Sequence, residues 1–226
     1  MDYDLIIAGG SVIDGSGADA NRADIAISGG RIERIGDLSG ATAKDTLDAS
    51  GKIVTPGFVD IHTHYDGQAT WSNRMSPSSH HGVTTVVMGN CGVGFAPVRP
   101  TDHDLLIELM EGVEDIPGVA LSDGLSWEWE AFPDYLDYLS KRQFDMDIGA
   151  QIHHGALRLY VMGQRGADRE SATEDDIKKM AELSAEAIEN LSLIHISEPT
   201  RLRRISYGVY SVKKKKGGGG GGGGGG

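Results

Sequence analysis

Apolar and polar positions along this chain change their period near residue 56. Before it they alternate in short runs set apart by glycines, at residues 3–8, 11–14, 24–28, 31–35, 45–48 and 52–54. A period of two is what half-buried strands show. The stretch Ile25-Ala26-Ile27-Ser28-Gly29-Gly30-Arg31-Ile32-Glu33-Arg34-Ile35 sets two glycines between alternating runs, a strong hairpin signal. A meander of this size buries too little surface to be very stable alone. Residues 1–56 are therefore expected to pack against something else.

After Pro56 the pattern becomes α/β. Apolar, β-branched runs at 53–59 and 83–88 read as buried strands, and strands are predicted at about 58–62, 84–89 and 145–152. Helical periodicity appears at 102–111 (Leu105, Leu106, Leu109, Met110), 132–142 (Phe132, Tyr135, Leu136, Leu139) and 174–190 (Ile177, Met180, Leu183, Ala187, Ile188). Thr173 and Asp176 form a near capping box for the last of these, and the acidic first turn suits its dipole. Residues 92–131, rich in Pro, Gly and acids, read as a long insertion that either shapes a pocket or is a surface excursion.

The formal net charge of −12 argues against nucleic acid or an anionic membrane as partner. The last 36 residues mask part of it, since residues 1–190 hold 14 basic and 32 acidic side chains, a net of −18. The tail 191–226, with four lysines from Lys213 to Lys216 and ten glycines from Gly217 to Gly226, has no globular pattern. It closely resembles the conceptual translation of a transposase-type sequencing adapter with its homopolymer runs. On that reading the genuine sequence stops near Asn190, and the tail is non-native or disordered. The N-terminus has no basic and apolar leader, and no apolar run of about 18 residues spans a membrane. A lone cysteine, Cys91, forms no intrachain disulfide, and a cytoplasmic location is expected.

Two elements carry chemistry. One is Asp60-Ile61-His62-Thr63-His64-Tyr65-Asp66 and the other Gly89-Asn90-Cys91-Gly92, each at the end of a predicted strand. Residues i and i+2 of a strand point the same way, roughly 6.5–7 Å apart, so His62 and His64 can converge on one divalent ion. Cys91 would enter from the next strand, and mixed His/Cys sets suit zinc. A (β/α)8 barrel uses roughly 31 residues per unit, and the 27 residues from His64 to Cys91 match one such step. His154 closes the third predicted strand and is a candidate for the substrate pocket, whereas His80, His81, His103 and His153 read as loop or surface residues. Asp60 reads as a residue that orients a histidine or shapes the strand end. Arg158 fits either a substrate carboxylate or a structural ion pair.

These motifs, with His81-Gly82-Val83-Thr84-Thr85 and His154-Gly155-Ala156-Leu157-Arg158, make residues 1–190 similar to the N-terminal part of the N-acyl-D-amino-acid deacylases (D-aminoacylases) of the metal-dependent amidohydrolase superfamily. The resemblance implies an α/β fold: strands of a small β-sandwich over 1–56, then the first units of a truncated (β/α)8 TIM-type barrel over 57–190. It implies one or two Zn2+ ions held by His62, His64 and Cys91, with two further histidines and a general-base aspartate on later strands. It also implies hydrolysis of small N-acyl-D-amino acids to a carboxylate and a free D-amino acid, with this fragment itself inactive. Two alternatives stay open: a cyclic-amide hydrolase of the hydantoinase or dihydroorotase type, or a non-catalytic truncated product.

Overall fold

The computed structural model describes residues 2–114, 116–197 and 207–210. The chain divides between Pro56 and Gly57 into two compact units, and residues 207–210 belong with the first.

The first unit is one mixed sheet of β1 (Asp2–Val12), β2 (Asn21–Ser28), β3 (Arg31–Gly36), β4 (Thr42–Asp48), β5 (Ile53–Pro56) and β9 (Tyr207–Tyr210). The strand order is β3-β2-β1-β5-β9, with β4 also paired to β1. The predicted hairpin is present, with Ser28 opposite Arg31 across the two glycines. The two runs predicted at 3–8 and 11–14 are instead a single strand, β1, whose register against β2 shifts between Ile7 and Gly10. Gly9 and Gly10 make a bulge there rather than a turn. Gly9 sits at φ +71° and donates its N–H to Asp24 Oδ1 at 2.7 Å. A β-carbon on Gly10 would lie 2.5 Å from Val54 Cγ2. Ile6, Ala26 and Leu38 form one buried cluster of this sheet.

The second unit is built on three parallel strands, β6 (Phe58–Asp60), β7 (Val83–Met88) and β8 (Asp147–Ala150), lying side by side in chain order. The helices are α1 (Gln68–Trp71), α2 (His103–Glu114), α3 (Gly118–Gly124), α4 (Phe132–Ser140), α5 (His154–Met162), α6 (Gln164–Ala167) and α7 (Glu174–Ser197). Parallel neighbours need crossover connections of a dozen residues or more, and these helices lie within them or after the last strand. α4 buries Phe132, Tyr135, Leu136 and Leu139, the face its periodicity predicts. Each of the Phe and Leu side chains is worth about 1.5–3 kcal/mol of burial.

Two expectations are corrected here and an open one is decided. The run at 53–59 is not one buried strand: it breaks at Gly57 into β5 and β6, which belong to different sheets. β6 is an edge strand of its sheet, and Phe58, Val59 and Ile61 are 52%, 59% and 70% exposed. Of the two readings left open for residues 92–131, the surface excursion is the one that fails. Val93, Phe95, Val98, Leu106, Met110, Leu121 and Trp129 lie in the same core cluster as Val86 and Met88 of β7, and Trp129 Nε1 donates to Phe95 O at 2.7 Å. On α7 the predicted stripe holds at Ala187, which is buried, and at the half-buried Met180 and Leu183, but Ile177 and Ile188 at its margins are exposed. Its first turn is tied to the segment before it. Asp176 accepts from the Thr173 N–H at 2.9 Å, returns its own N–H to Thr173 Oγ1 at 3.2 Å, and pairs with Arg165 at 2.9 Å.

Of the tail, residues 191–197 continue α7 and Tyr207–Tyr210 form β9, with Thr55 opposite Gly208. The lysine and glycine runs lie outside the described residues. No helix among the described residues is long and apolar enough to cross a membrane.

Candidate metal centre

β6 stops at Asp60, so His62 and His64 lie in the loop that follows it rather than in the strand. The alternation of an extended chain nevertheless persists through this loop. Thr63 points inward, 7% exposed, and both its N–H and its hydroxyl donate to Val87 O, at 3.0 and 2.9 Å. The two flanking imidazoles share the other side, with ring centroids 5.6 Å apart. Asp60 Oδ1 accepts the backbone N–H of His62 at 3.1 Å, so its part is to shape the loop.

The Gly89-Asn90-Cys91-Gly92 element turns tightly at the end of β7. Gly89, Cys91 and Gly92 all have left-handed backbone, at φ +87°, +57° and +77°. A side chain at Gly89 would also strike Gln151 O at 2.5 Å. Asn90 joins this turn to the histidine loop, its Nδ2 donating to Val87 O at 2.9 Å and Thr63 O at 3.4 Å. The result presents Cys91 to the histidines, with Sγ 3.3 Å from His62 Nε2.

Ligand atoms of His62, His64 and Cys91 all lie within 4.8 Å of one another. Zinc bonds of the usual lengths give tetrahedral edges of about 3.3–3.6 Å for such a set, and the Cys91–His62 contact, at 3.3 Å, is close to that spacing. His64 is half-buried, while His62 and Cys91 face solvent. Two imidazoles and one thiol on one side of the strand ends fit a zinc ion and leave further coordination positions open.

The other candidates fall differently. His154 is the first residue of α5, exposed, and lies against the Cys91 turn, since a β-carbon on Gly92 would sit 3.1 Å from His154 Cβ. Arg158 donates to Glu170 O at 2.7 Å, a structural tie. His80 and His81 are exposed, as expected, and His103 stacks on Trp127 with centroids 4.0 Å apart. His153 contradicts the expectation of a loop or surface residue, being fully buried, with Nε2 2.8 Å from Asp66 Oδ1. That approach is not aligned as a hydrogen bond. The chain stays extended from β8 into residues 151–153, where Gln151 donates to Met88 O at 2.9 Å, so consecutive side chains alternate and His153 turns inward while His154 turns out. A two-histidine run after a strand is the signal that finds it. Tyr135 donates its hydroxyl to Asp66 O at 2.9 Å. Burial, then the Asp66 charge, push its phenol well above the ordinary range, so it stays a neutral donor.

The amidohydrolase family model matches residues 45–201, which include both ligand elements. The chain belongs to the amidohydrolase family. Among its family relatives, the D-aminoacylase of Alcaligenes xylosoxydans xylosoxydans is 38% identical over 186 residues, covering 82% of this chain and 36% of the relative. A solved D-aminoacylase with a binuclear metal centre superposes with a TM-score of 0.67 at 36% identity, covering 83% of this chain and 37% of that one. An N-acyl-D-glutamate deacylase from Bordetella bronchiseptica, in complex with zinc and a phosphonate inhibitor, gives 0.64 at 32% identity over 84% and 37%. The chain thus spans little more than a third of the length of these amidohydrolases.

Proposed function

We propose that this chain supplies the first strands and one set of ligands of a zinc-dependent amidohydrolase that cleaves N-acyl-D-amino acids to a carboxylate and a free D-amino acid. The observation that carries the reading is the convergence of His62, His64 and Cys91 from two strand ends within 4.8 Å. The likeness to D-aminoacylases over 82% of the chain supports the substrate class. The three parallel strands in chain order support a (β/α)8 barrel in the whole protein, with the site at the carboxyl ends of its strands.

Zinc, when bound, supplies a Lewis acid for the amide carbonyl and a water acidified to near neutral pH. The chain's own residues do the holding. Thr63 and Asn90 lock the histidine loop and the cysteine turn to the same carbonyl, Val87 O, so the two ligand elements cannot drift apart independently. His154 borders the cysteine turn on its solvent side, where a substrate would approach. In the whole protein the proton acceptor and the contacts to the substrate carboxylate would come from later strands, and the 226-residue chain alone is expected to be inactive.

The test is hydrolysis by a protein that carries this segment at the length of its relatives. Release of free amine from N-acetyl-D-amino acids, lost on chelation and restored by zinc, is the expected result. No metal-dependent release from any N-acyl amino acid contradicts it.

A further inference from the structure

Among the described residues His153 is the most completely buried imidazole, and the metal reading gives it no task. Its surroundings are unusual for a histidine that merely fills a core. Nδ1 meets the backbone of Ala96, 3.2 Å from the N–H and 2.9 Å from the carbonyl. Nε2 faces Asp66, itself only 1% exposed. The ring lies edge-on to Phe132 and Tyr135. Its flat side leaves no room for a β-carbon at Gly94, which would lie 2.3 Å from the ring, and little at Gly89, at 3.0 Å.

The contacts with Asp66, Gly89, Gly94 and Ala96 lead towards the two ligand elements, while Phe132 and Tyr135 wall the ring from α4. Asp66 follows His64 by two residues and is the end of the histidine loop. Gly89 and Gly94 flank Cys91, and Ala96 follows in the segment that leaves the same turn. A buried carboxylate and imidazole are costly to desolvate and are kept only where each holds the other. We infer that His153 is a positioning residue that clamps the His62/His64 loop to the Cys91 turn and so sets the distance between the imidazoles and the thiolate. Thr63 and Asn90 tie the two elements together at the strand end, and His153 ties them beneath, from the third strand. Two separated ties fix an angle as well as a distance. The inference rests on the zinc reading.

The test measures zinc affinity of the full chain by competition with a chromophoric chelator, for wild type, His153→Gln, Asp66→Asn and the double variant. Cobalt spectra at saturation and far-ultraviolet circular dichroism are recorded in parallel. Each single variant should lose about tenfold in zinc affinity, the low end of what residues behind the ligands contribute. The double variant should lose no more than the worse single one, because both break one clamp. The thiolate-to-cobalt band should weaken or shift even at saturating metal, which loss of stability alone does not produce. Singles within about twofold of wild type, with an unchanged cobalt band, overturn the inference, as do losses that multiply in the double variant. Should one variant not fold, the other decides by the same affinity and band criteria. If the wild-type chain binds neither metal, it is the zinc reading that fails, not the clamp.

Discussion

Gly89→Ala probes how tightly the cysteine turn is built. Gly89 sits at φ +87°, where an L-residue costs about 1–2 kcal/mol. A new β-carbon would also lie 2.5 Å from Gln151 O and 3.0 Å from Gln151 N. Those atoms are backbone and are held by the Gln151 N–H bond to Met88 O at 2.9 Å, so they cannot swing aside as a side-chain tip would. Overpacking of this kind costs about 1–3 kcal/mol more, for a total of about 2–5 kcal/mol. Gly92→Ala is the internal comparison. It shares the left-handed backbone at φ +77°, but its nearest contact is His154 Cβ at 3.1 Å, so the backbone cost dominates. Urea unfolding followed by fluorescence of Trp127 and Trp129 should place Gly89→Ala below wild type by that amount and below Gly92→Ala by about 1–3 kcal/mol. Equal midpoints for the two variants would refute the claim that the β8 extension braces this turn.

The exposed edge strand predicts association: sedimentation should show the chain self-associating with rising concentration, and Val59→Lys with Ile61→Lys should suppress it, since Val59 on β6 and Ile61 just after it are both more than half exposed. Unchanged association would place the sticky surface elsewhere. The start of α7 predicts an acid response. Hydrogen bonds from the Thr173 N–H, then from Arg165, hold the Asp176 carboxyl below its usual range. Because the folded value is depressed, the stabilisation is present above the unfolded value and is lost as pH falls through the folded one. Helicity of wild type should therefore decline on acidification through and below the ordinary carboxylate range, while Asp176→Asn should begin less stable and respond less. Parallel profiles would contradict this.

The grouping of His62, His64 and Cys91 was legible in the sequence, because residue types that can hold a metal recur there at strand ends, and local spacing brings them together from a loop as well as from a strand. Thr63 and Asn90 sit inside the same motifs, but their role depends on one carbonyl, Val87 O, brought close by parallel pairing. The Asp66–His153 contact spans 87 positions, so only tertiary structure reveals it. The run through β6 and the margins of the α7 stripe were misread for one reason: apolar pattern reports what a segment can bury, and Val59, Ile177 and Ile188 are more than half exposed. Residues 92–131 stayed open between two readings, because scattered apolar residues between Pro and Gly show no period although they join one core with Trp129.

The central claim is that His62, His64 and Cys91 bind one ion together, and the cobalt spectrum of the 226-residue chain tests it most directly. The expected result is a thiolate-to-cobalt charge-transfer band with intense tetrahedral visible absorption at one equivalent, displaced by zinc. Cys91→Ser should abolish the charge-transfer band, and His62→Ala or His64→Ala should weaken binding at least tenfold. A spectrum like that of hydrated cobalt, or one that Cys91→Ser leaves intact, would contradict the account.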